Sequence, residues 1–300
     1  QMVLRKNPYY QARFSPLFAT IDDEKSGYLK YVGQKMPFLD EVIYTLEKES
    51  IPRWNKFLQG YYDLSGITAD SFDQAIQINS AGNPVLTAEM QAKKIRLTQS
   101  IESNIFYFGF NMLDPVVGGS SEQARHLRMA ISIALNLEEY IAIFYNGRGQ
   151  AAQGPIPPGI LGHYQGRAGM NPYVYCWRDG KLVRRSLKEA KEHMVAAGYP
   201  GGINPNTGKS LVLNYDVAIT SRPDEKAQLD WMRKQFARLG IDLNIRATLY
   251  NRFQEKMRMG NAQIFKWAWS ADYPDPENFL FLFYGPHGEV KFGGENTSNY

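Results

Sequence analysis

The chain holds one cysteine, Cys176, in 300 residues. A lone thiol excludes an intrachain disulfide framework and any zinc site built from several cysteines. Histidine is nearly as scarce. His126, His163, His193 and His287 are scattered along the sequence, with no two at metal-ligand spacing. H-E-x-x-H and G-x-S-x-G are both missing. Neither a metal nor another cofactor is expected. A dominant charge is lacking too: 34 Lys+Arg stand against 30 Asp+Glu, a net +4. The densest basic stretches, Lys93–Lys94–Arg96 and Arg184–Arg185–Lys188, form no stripe, so nucleic acid is not an expected partner. Long apolar runs are also missing. The best, 130–145, is interrupted by Asn136, Glu138 and Glu139 and is too short to span a bilayer. No basic–apolar–small leader opens the sequence, and Gln1 reads as the start of a mature chain or of an excised piece. Repeats and low-complexity segments are lacking as well.

What is abundant is aromatic residues, at 13% with 19 Tyr, 16 Phe and 5 Trp. Tyr and Trp pair an apolar face with a polar tip, which suits a large recognition surface as well as a core. The remaining composition, 44% hydrophobic and 21% charged, is that of a globular chain. Its length favours two domains.

Periodicity assigns the elements. A turn is expected at Asn7-Pro8, a loop over 21–37, and strands over 41–47, 61–65, 95–100 and 104–111. Helical patterns cover 70–78 and 87–94. Pro52 opens a short helix with Trp54, Phe57 and Leu58 on one face, ended by Gly60. Ser120 with Gln123 makes a capping box before the stripe Leu127, Ile131, Ala134 and Leu135. Asn146-Gly147 ends the helical stretch, and a long loop fills 147–180. A second capping box, Ser186 with Glu189, starts a helix that Gly198 closes. From residue 211 onward strands alternate with helices: a strand at 211–215, a helix from Pro223 with stripe Leu229, Met232, Phe236 and Leu239, and a strand at 241–245. A helix marked by Tyr250, Phe253 and Met257 and a strand at 263–269 follow. That order predicts an α/β sheet with helical connections.

Two glycine-rich stretches fail as phosphate cradles. In 202–210, "GINPNTGKS", five residues separate Gly202 from Gly208 where the P-loop allows four, and the segment follows a helix and opens a strand. It reads as a turn. In 147–154, Ala152 stands where a dinucleotide fingerprint needs its third glycine. His193 sits beside Glu192 on a helical face and reads as solvated, and Cys176 lies in a loop without an activating motif. The densest chemistry is 266–279, "KWAWSADYPDPENF". Asp275 reads as N-cap with Pro276 at the first helical position and Glu277 in the first turn. Asp272 is left over. It follows Trp269 at the end of a strand, where open α/β sheets bind ligands. A carboxylate there, partly desolvated beside an indole, favours a cationic partner such as an α-ammonium. A Ca²⁺ site from the same acids is the weaker reading, because Pro274 and Pro276 restrict the wrap.

In order and spacing, several segments resemble the family 5 extracellular solute-binding proteins, the peptide- and oligopeptide-binding receptors of ABC importers. They are "RKNPYY" (5–10), "MPFLDEVIYTL" (36–46), "WNKFLQGYYDLSGI" (54–67), "FNMLDPVVGG" (110–119) and "RHLRMAISIALNLEEYI" (125–141). "GPIPPGILGH" (154–163), "EAKEHMVAAGYPGG" (189–202) and "WSADYPDPENF" (269–279) complete the resemblance over nearly the whole chain. It implies an α/β, periplasmic-binding-protein-like (type II, Venus-flytrap) architecture. Residues 1–109 would be part of an incomplete first lobe and 110–300 most of the second, the chain being an internal fragment. By position, Asp272 would anchor the ligand's amino terminus. Trp269, and Tyr250 in place of a family tryptophan, would wall side-chain pockets. Phe57 would face the cleft from the first lobe. Lys266 would meet a ligand carboxylate, although strand alternation puts Lys266 and Trp269 on opposite faces. Some members carry a disulfide across positions that are Asn104 and Ser270 here.

The expected function is a non-catalytic, monomeric receptor in the periplasm or otherwise outside the cytoplasm, with or without a lipid anchor. It would bind peptide between its lobes and deliver it to an ABC permease in the membrane. Backbone pairing to an extended peptide gives affinity without side-chain specificity, and lobe closure signals occupancy. An oligosaccharide or other solute is the alternative cargo. A hydrolase built on paired carboxylates and a sensing module without a transporter are further readings.

Overall fold

The computed structural model describes residues 1–11, 13–15, 24, 27–80, 82–219 and 223–300. Of the loop expected over 21–37, residues 21–23, 25 and 26 lie outside the described residues. The chain forms two compact units, 1–96 and 97–300.

In the first unit, β1 (Met2–Arg5) pairs antiparallel with β2 (Glu41–Tyr44) in the register Met2↔Tyr44. The expected turn at Asn7 forms, its side-chain oxygen accepting from the Tyr9 amide at 2.9 Å. Helix α1 (Ser50–Leu58) buries Trp54, whose indole N–H donates to Gln74 Oε1 at 2.7 Å and whose ring lies 5.4 Å from that of Phe57. Gly60, at φ +83°, lets the chain leave the helix. Neither 61–65 nor 95–100 is a strand. The helix expected over 70–78 is only α2 (Phe72–Ala75); the chain then extends as β3 (Ile76–Ile78) and pairs with β4 (Pro84–Leu86). Two β-branched isoleucines and the turn at 79–83, where the Asn83 amide donates to Asn79 Oδ1, favour the hairpin. Helix α3 (Ala88–Ala92) follows.

The second unit is built on a four-stranded sheet. Its members are β5 (Asn104–Phe110), β10 (Val212–Ala218), β11 (Asp242–Thr248) and β12 (Ile264–Ser270), in the order β11-β10-β12-β5. β10 runs parallel to β11 and β12, and β5 is antiparallel to β12 in the register Ile264↔Phe110 to Ser270↔Asn104. Asn104 and Ser270, where the resemblance implied a bridge in some relatives, are therefore cross-strand neighbours. β5 belongs to this sheet, so the compact units divide after residue 96, ahead of the expected division at 109. Its seven register pairs with β12 keep β5 in the second unit.

Helices cover both faces. On one side lie α4 (Glu122–Ala134), α5 (Leu137–Tyr145), α7 (Leu187–Ala196) and α8 (Pro223–Ala237), packed on Leu213, Tyr215 and Val217 of β10. The expected stripes of α4 and α8 are in this core: Leu127, Ile131, Met232, Phe236 and Leu239 are all buried. The start of α4 differs by one residue. Ser121, not Ser120, is the N-cap, accepting from the Ala124 amide at 3.2 Å. The box at α7 is complete, with Glu189 Oε2 accepting from the Ser186 amide at 2.7 Å. The long loop of 147–180 contains the one-turn helix α6 (Gly166–Gly169) and the first strand of an unexpected hairpin, β6 (Tyr175–Arg178) with β7 (Lys181–Arg184). Arg184 of that hairpin donates to Glu138 at 2.9 Å and to the carbonyls of Ser132 and Ile133, capping the end of α4. Segment 202–210 is the turn expected of it, β8 (Ile203–Asn204) against β9 (Lys209–Ser210).

On the other side lies α9 (Tyr250–Arg258), with Phe253 and Met257 against Phe265. Asp216, on β10, is 1% exposed beneath this helix and pairs with Lys256. Burial raises the pKa of the Asp216 carboxyl, and Lys256 opposes that shift. The unit ends with α10 (Glu277–Leu280) and α11 (Glu289–Phe292).

A candidate ligand site at the end of β12

β12 places its side chains on alternate faces. Phe265, Trp267 and Trp269 point one way, and Lys266 the other. Phe265 is fully buried against α9. Trp267 continues that face, its ring 4.9 Å from Phe253 and edge-on to Tyr250 at 6.4 Å. Tyr250 opens α9 and is 54% exposed. On the opposite face, Lys266 Nζ donates to the Tyr140 hydroxyl at 3.0 Å and lies over that ring. The Tyr140 hydroxyl donates in turn to Gln228 Oε1 at 2.8 Å.

These groups meet at a 330 Å³ cavity. It opens where β10 and β12 end and α8 and α9 begin, with Phe106, Tyr250, Phe253, Lys266 and Trp267 among its walls. This is the edge of the sheet at which parallel α/β folds bind ligands. The walls are mostly aromatic and aliphatic and the polar groups few, the usual make-up of a small-molecule site. The structure thus brings Tyr250 and Lys266 to one cavity. The indole lining it is Trp267, not Trp269.

Trp269 and Asp272 form a second constellation. Asn278, 2% exposed on α10, accepts through Oδ1 from the Trp269 indole at 3.1 Å and from the Asp272 amide at 2.9 Å. Trp269 also meets Phe281 edge-on, with ring centroids 5.1 Å apart. Asp275 is not the N-cap expected of it: Pro276 holds that place, and Asp275 Oδ1 instead accepts from the Glu277 amide at 2.9 Å in an Asx turn just ahead of the helix. The helix starts one residue later than expected, at Glu277. Asp272 itself is exposed, where sequence led us to expect a partly desolvated anion. The strand ends at Ser270 and the chain turns outward, so the indole edge goes to Asn278 and the carboxylate to solvent. Among the described residues that carboxylate has no hydrogen-bond or ion-pair partner. Phe57, part-buried on α1, belongs to the first unit. No group of three His, Cys, Asp or Glu able to hold a metal occurs among the described residues.

Sequence reading missed Asn278 and Trp267. The signal for Trp267 was strand parity, since it lies on the same face as buried Phe265. Asn278 had a fainter one, an amide side chain in the first turn after an Asp-Pro cap, where the fold buries it and it must find partners.

Residues 1–290 match the family described as bacterial extracellular solute-binding proteins, family 5 Middle. The chain belongs to that family. It is similar to the dipeptide-binding protein of Escherichia coli (strain K12), with 24% identity over 255 residues covering 83% of this chain and 40% of that protein. Heme-binding protein A of Haemophilus influenzae is 24% identical over 211 residues, covering 69% and 33%. Di/tripeptide-binding protein 2 of Pseudomonas aeruginosa is 27% identical over 154 residues, covering 51% and 25%. The chain thus spans a quarter to two fifths of the length of these relatives. Among solved structures, the periplasmic binding protein DppA from Helicobacter pylori in complex with the peptide STSA aligns with a TM-score of 0.62 at 22% identity. That alignment covers 90% of this chain and 44% of the other. The dipeptide-binding protein from Pseudoalteromonas sp. SM9913 in complex with Met-Leu gives 0.62 at 19%, covering 91% and 46%. At these identities the likeness is one of fold, and the fold class is the α/β class of type II periplasmic binding proteins. Among the described residues no helix is long and apolar enough to cross a membrane.

Proposed function

We propose that the chain is part of a non-catalytic receptor outside the cytoplasm that binds peptides or oligopeptides and delivers them to an ABC permease. In this reading the first unit is part of one lobe and the second unit most of the other. The observation that carries it is Asp272. Its backbone is held through Asn278, which also holds the Trp269 indole, while its carboxylate has no partner among the described residues, and the strand before it lines an aromatic cavity at the ligand edge of the sheet. An unpaired acid accepts a peptide's α-ammonium by charge-assisted hydrogen bonds without first breaking an ion pair. Tyr250 and Trp267 wall the space for side chains, and Trp269 stands beside the acid. Lys266, held by Tyr140, is positioned to turn toward a ligand carboxylate. The receptor acts as a monomer and closes its lobes around the ligand.

A sugar or other solute is the second reading, favoured by the exposed ring of Tyr250 at the cavity, since such rings stack on sugars as readily as on side chains. Calorimetry of the native receptor separates the two. Binding of a mixed peptide pool that is lost on N-acetylation of the peptides, and weakened at least tenfold by Asp272→Asn (roughly the 1.4 kcal/mol of one charged hydrogen bond), supports peptide cargo. Heat from oligosaccharides and none from peptides would overturn it.

A further inference from the structure

Two of the four histidines, far apart in sequence, meet in the fold. His126 of α4 and His193 of α7 lie with their rings 5.0 Å apart at 31°, and their Nδ1 atoms are 2.7 Å from each other. The helices come this close because small residues line their seam: Ala130 and Ala190 are fully buried there, beside Leu127 and Met194. Both rings are part-buried.

The proton count follows from the distance. At 2.7 Å one Nδ1 must carry hydrogen and the other must offer its lone pair. A neutral pair satisfies this with one N–H on each ring. One further proton is accommodated on the Nε2 of the donor ring, giving an imidazolium whose Nδ1–H still points at its neighbour, a stronger bond than the neutral one. A second further proton has only the accepting Nδ1 left. Two N–H groups would then face each other, and the contact has to open.

The surrounding charges place the first proton. His126 Nε2 lies 4.0 Å from Glu122, which also meets Arg125 at 3.5 Å on the same helix. Arg125 in turn lies over the ring of Tyr173. On the other side, Arg185, Glu189 and Glu192 act on His193 at longer range, and desolvation, then the neighbouring His126, lower its pKa. His193, whose pKa is lowered, is the ring that stays neutral and accepts, and the Nδ1–H comes from His126, whose Nε2 faces the Glu122 carboxylate at 4.0 Å.

We propose that His126 and His193 are a one-proton clip between α4 and α7, which keeps the helices joined through the first protonation and releases them at the second. The sign follows from His193. A histidine whose pKa falls on folding contributes stability fully above its unfolded value, about 6.5, and loses it as the pH drops below that. The clip is therefore closed at neutral pH and opens in acid. The two rings titrate as one coupled unit, in two steps separated by about one pH unit or more.

With only four histidines, the imidazole nitrogens of ¹⁵N-histidine-labelled protein can be assigned and titrated by long-range ¹H–¹⁵N NMR. At pH 8 the two rings are expected to show opposite tautomers, one with hydrogen on Nδ1 and the other on Nε2. On acidification one ring should gain its proton first, with the other following at clearly lower pH. In His126→Leu the midpoint of His193 should move up. Amide exchange in α4 and α7 of the unmutated protein should speed up with the second step only. Independent titration of both rings at one midpoint overturns the clip. So does a spectrum that changes on adding EDTA, which would mean a metal ion holds the pair. If His126→Leu fails to fold, the tautomers and the two-step titration of the unmutated protein decide alone.

Discussion

Gly109 is the last but one residue of β5, directly across from Phe265 on β12. A Cβ built there would lie 2.3 Å from Cζ of the Phe265 ring and 2.5 Å from Cε2. Carbon atoms in contact keep 3.5–4.0 Å apart, so the added methyl is more than an ångström too close. The ring is fully buried among Phe253, Met257 and Tyr107, and the only relief is a shift of the ring or of the strand. Gly109→Ala should therefore destabilise the second unit by roughly 2–3 kcal/mol, the upper part of the usual overpacking range. This opposes the ordinary benefit of replacing glycine in a strand. Phe265→Leu alone should cost roughly 1–2 kcal/mol through the space it leaves. If the clash is the cause, the double variant Gly109→Ala/Phe265→Leu should be more stable than the sum of the two losses by about 1 kcal/mol or more. Urea unfolding followed by far-UV circular dichroism gives all three values. Strict additivity, or a neutral Gly109→Ala, would refute the argument that this glycine exists to seat the ring. The consequence reaches the ligand site, because the β5–β12 register fixes where Lys266, Trp269 and Asp272 emerge.

Two further outcomes can be checked with the same assay. Glu289, whose Oε2 is buried without a hydrogen-bond partner among the described residues, has its pKa pushed up to about 7 by desolvation and then by Glu295. Its raised pKa means the unit is more stable where the carboxyl is protonated, and loses that stability as the pH climbs from about 4.5 through 7. Glu289→Gln should remove the loss, gaining roughly 1–3 kcal/mol at pH 8 and almost nothing at pH 4; parallel pH profiles for the two proteins would contradict this. Asn278→Leu leaves the Trp269 indole and the Asp272 amide without their shared acceptor. It should cost roughly 1–3 kcal/mol, while Asn278→Asp, which keeps an acceptor oxygen, should cost visibly less.

Most of the second unit was legible in the sequence because its signals are local. Leu229, Met232, Phe236 and Leu239 repeat at helical spacing. Ser186 and Glu189 cap within one turn, and Ile241, Leu243 and Ile245 alternate. The failures occur where a distant partner decides. Ile76–Ile78 becomes a strand because Pro84–Leu86 is there to pair with it. The hairpin of β6 and β7 lies in what reads as loop, and Arg184 fixes it to carbonyls about fifty residues earlier in the chain. His193 reads as a solvated surface group because its partner is 67 residues away. At the ligand edge the residue types were readable but their contacts were not. Trp269 and Asp272 were singled out together, and the structure joins them through Asn278 rather than by direct contact.

That junction explains how one short segment can be both rigid and receptive. Seven register pairs hold β12 to β5, and the buried ring of Phe265 pins its face to α9. Asp275 holds the Glu277 amide just ahead of the next helix, and Asn278 on that helix reaches back to the last indole and to the amide of residue 272. The backbone is thus secured on both sides of Asp272 by groups other than its own carboxylate. A ligand that pairs with this acid breaks no ion pair and orders little chain, so the contact forms without those two costs. Asp216, on the neighbouring strand β10, shows the opposite arrangement: a buried acid paired with Lys256. One acid secures α9 to the sheet and the other is left free, and the difference lies in where each strand stops.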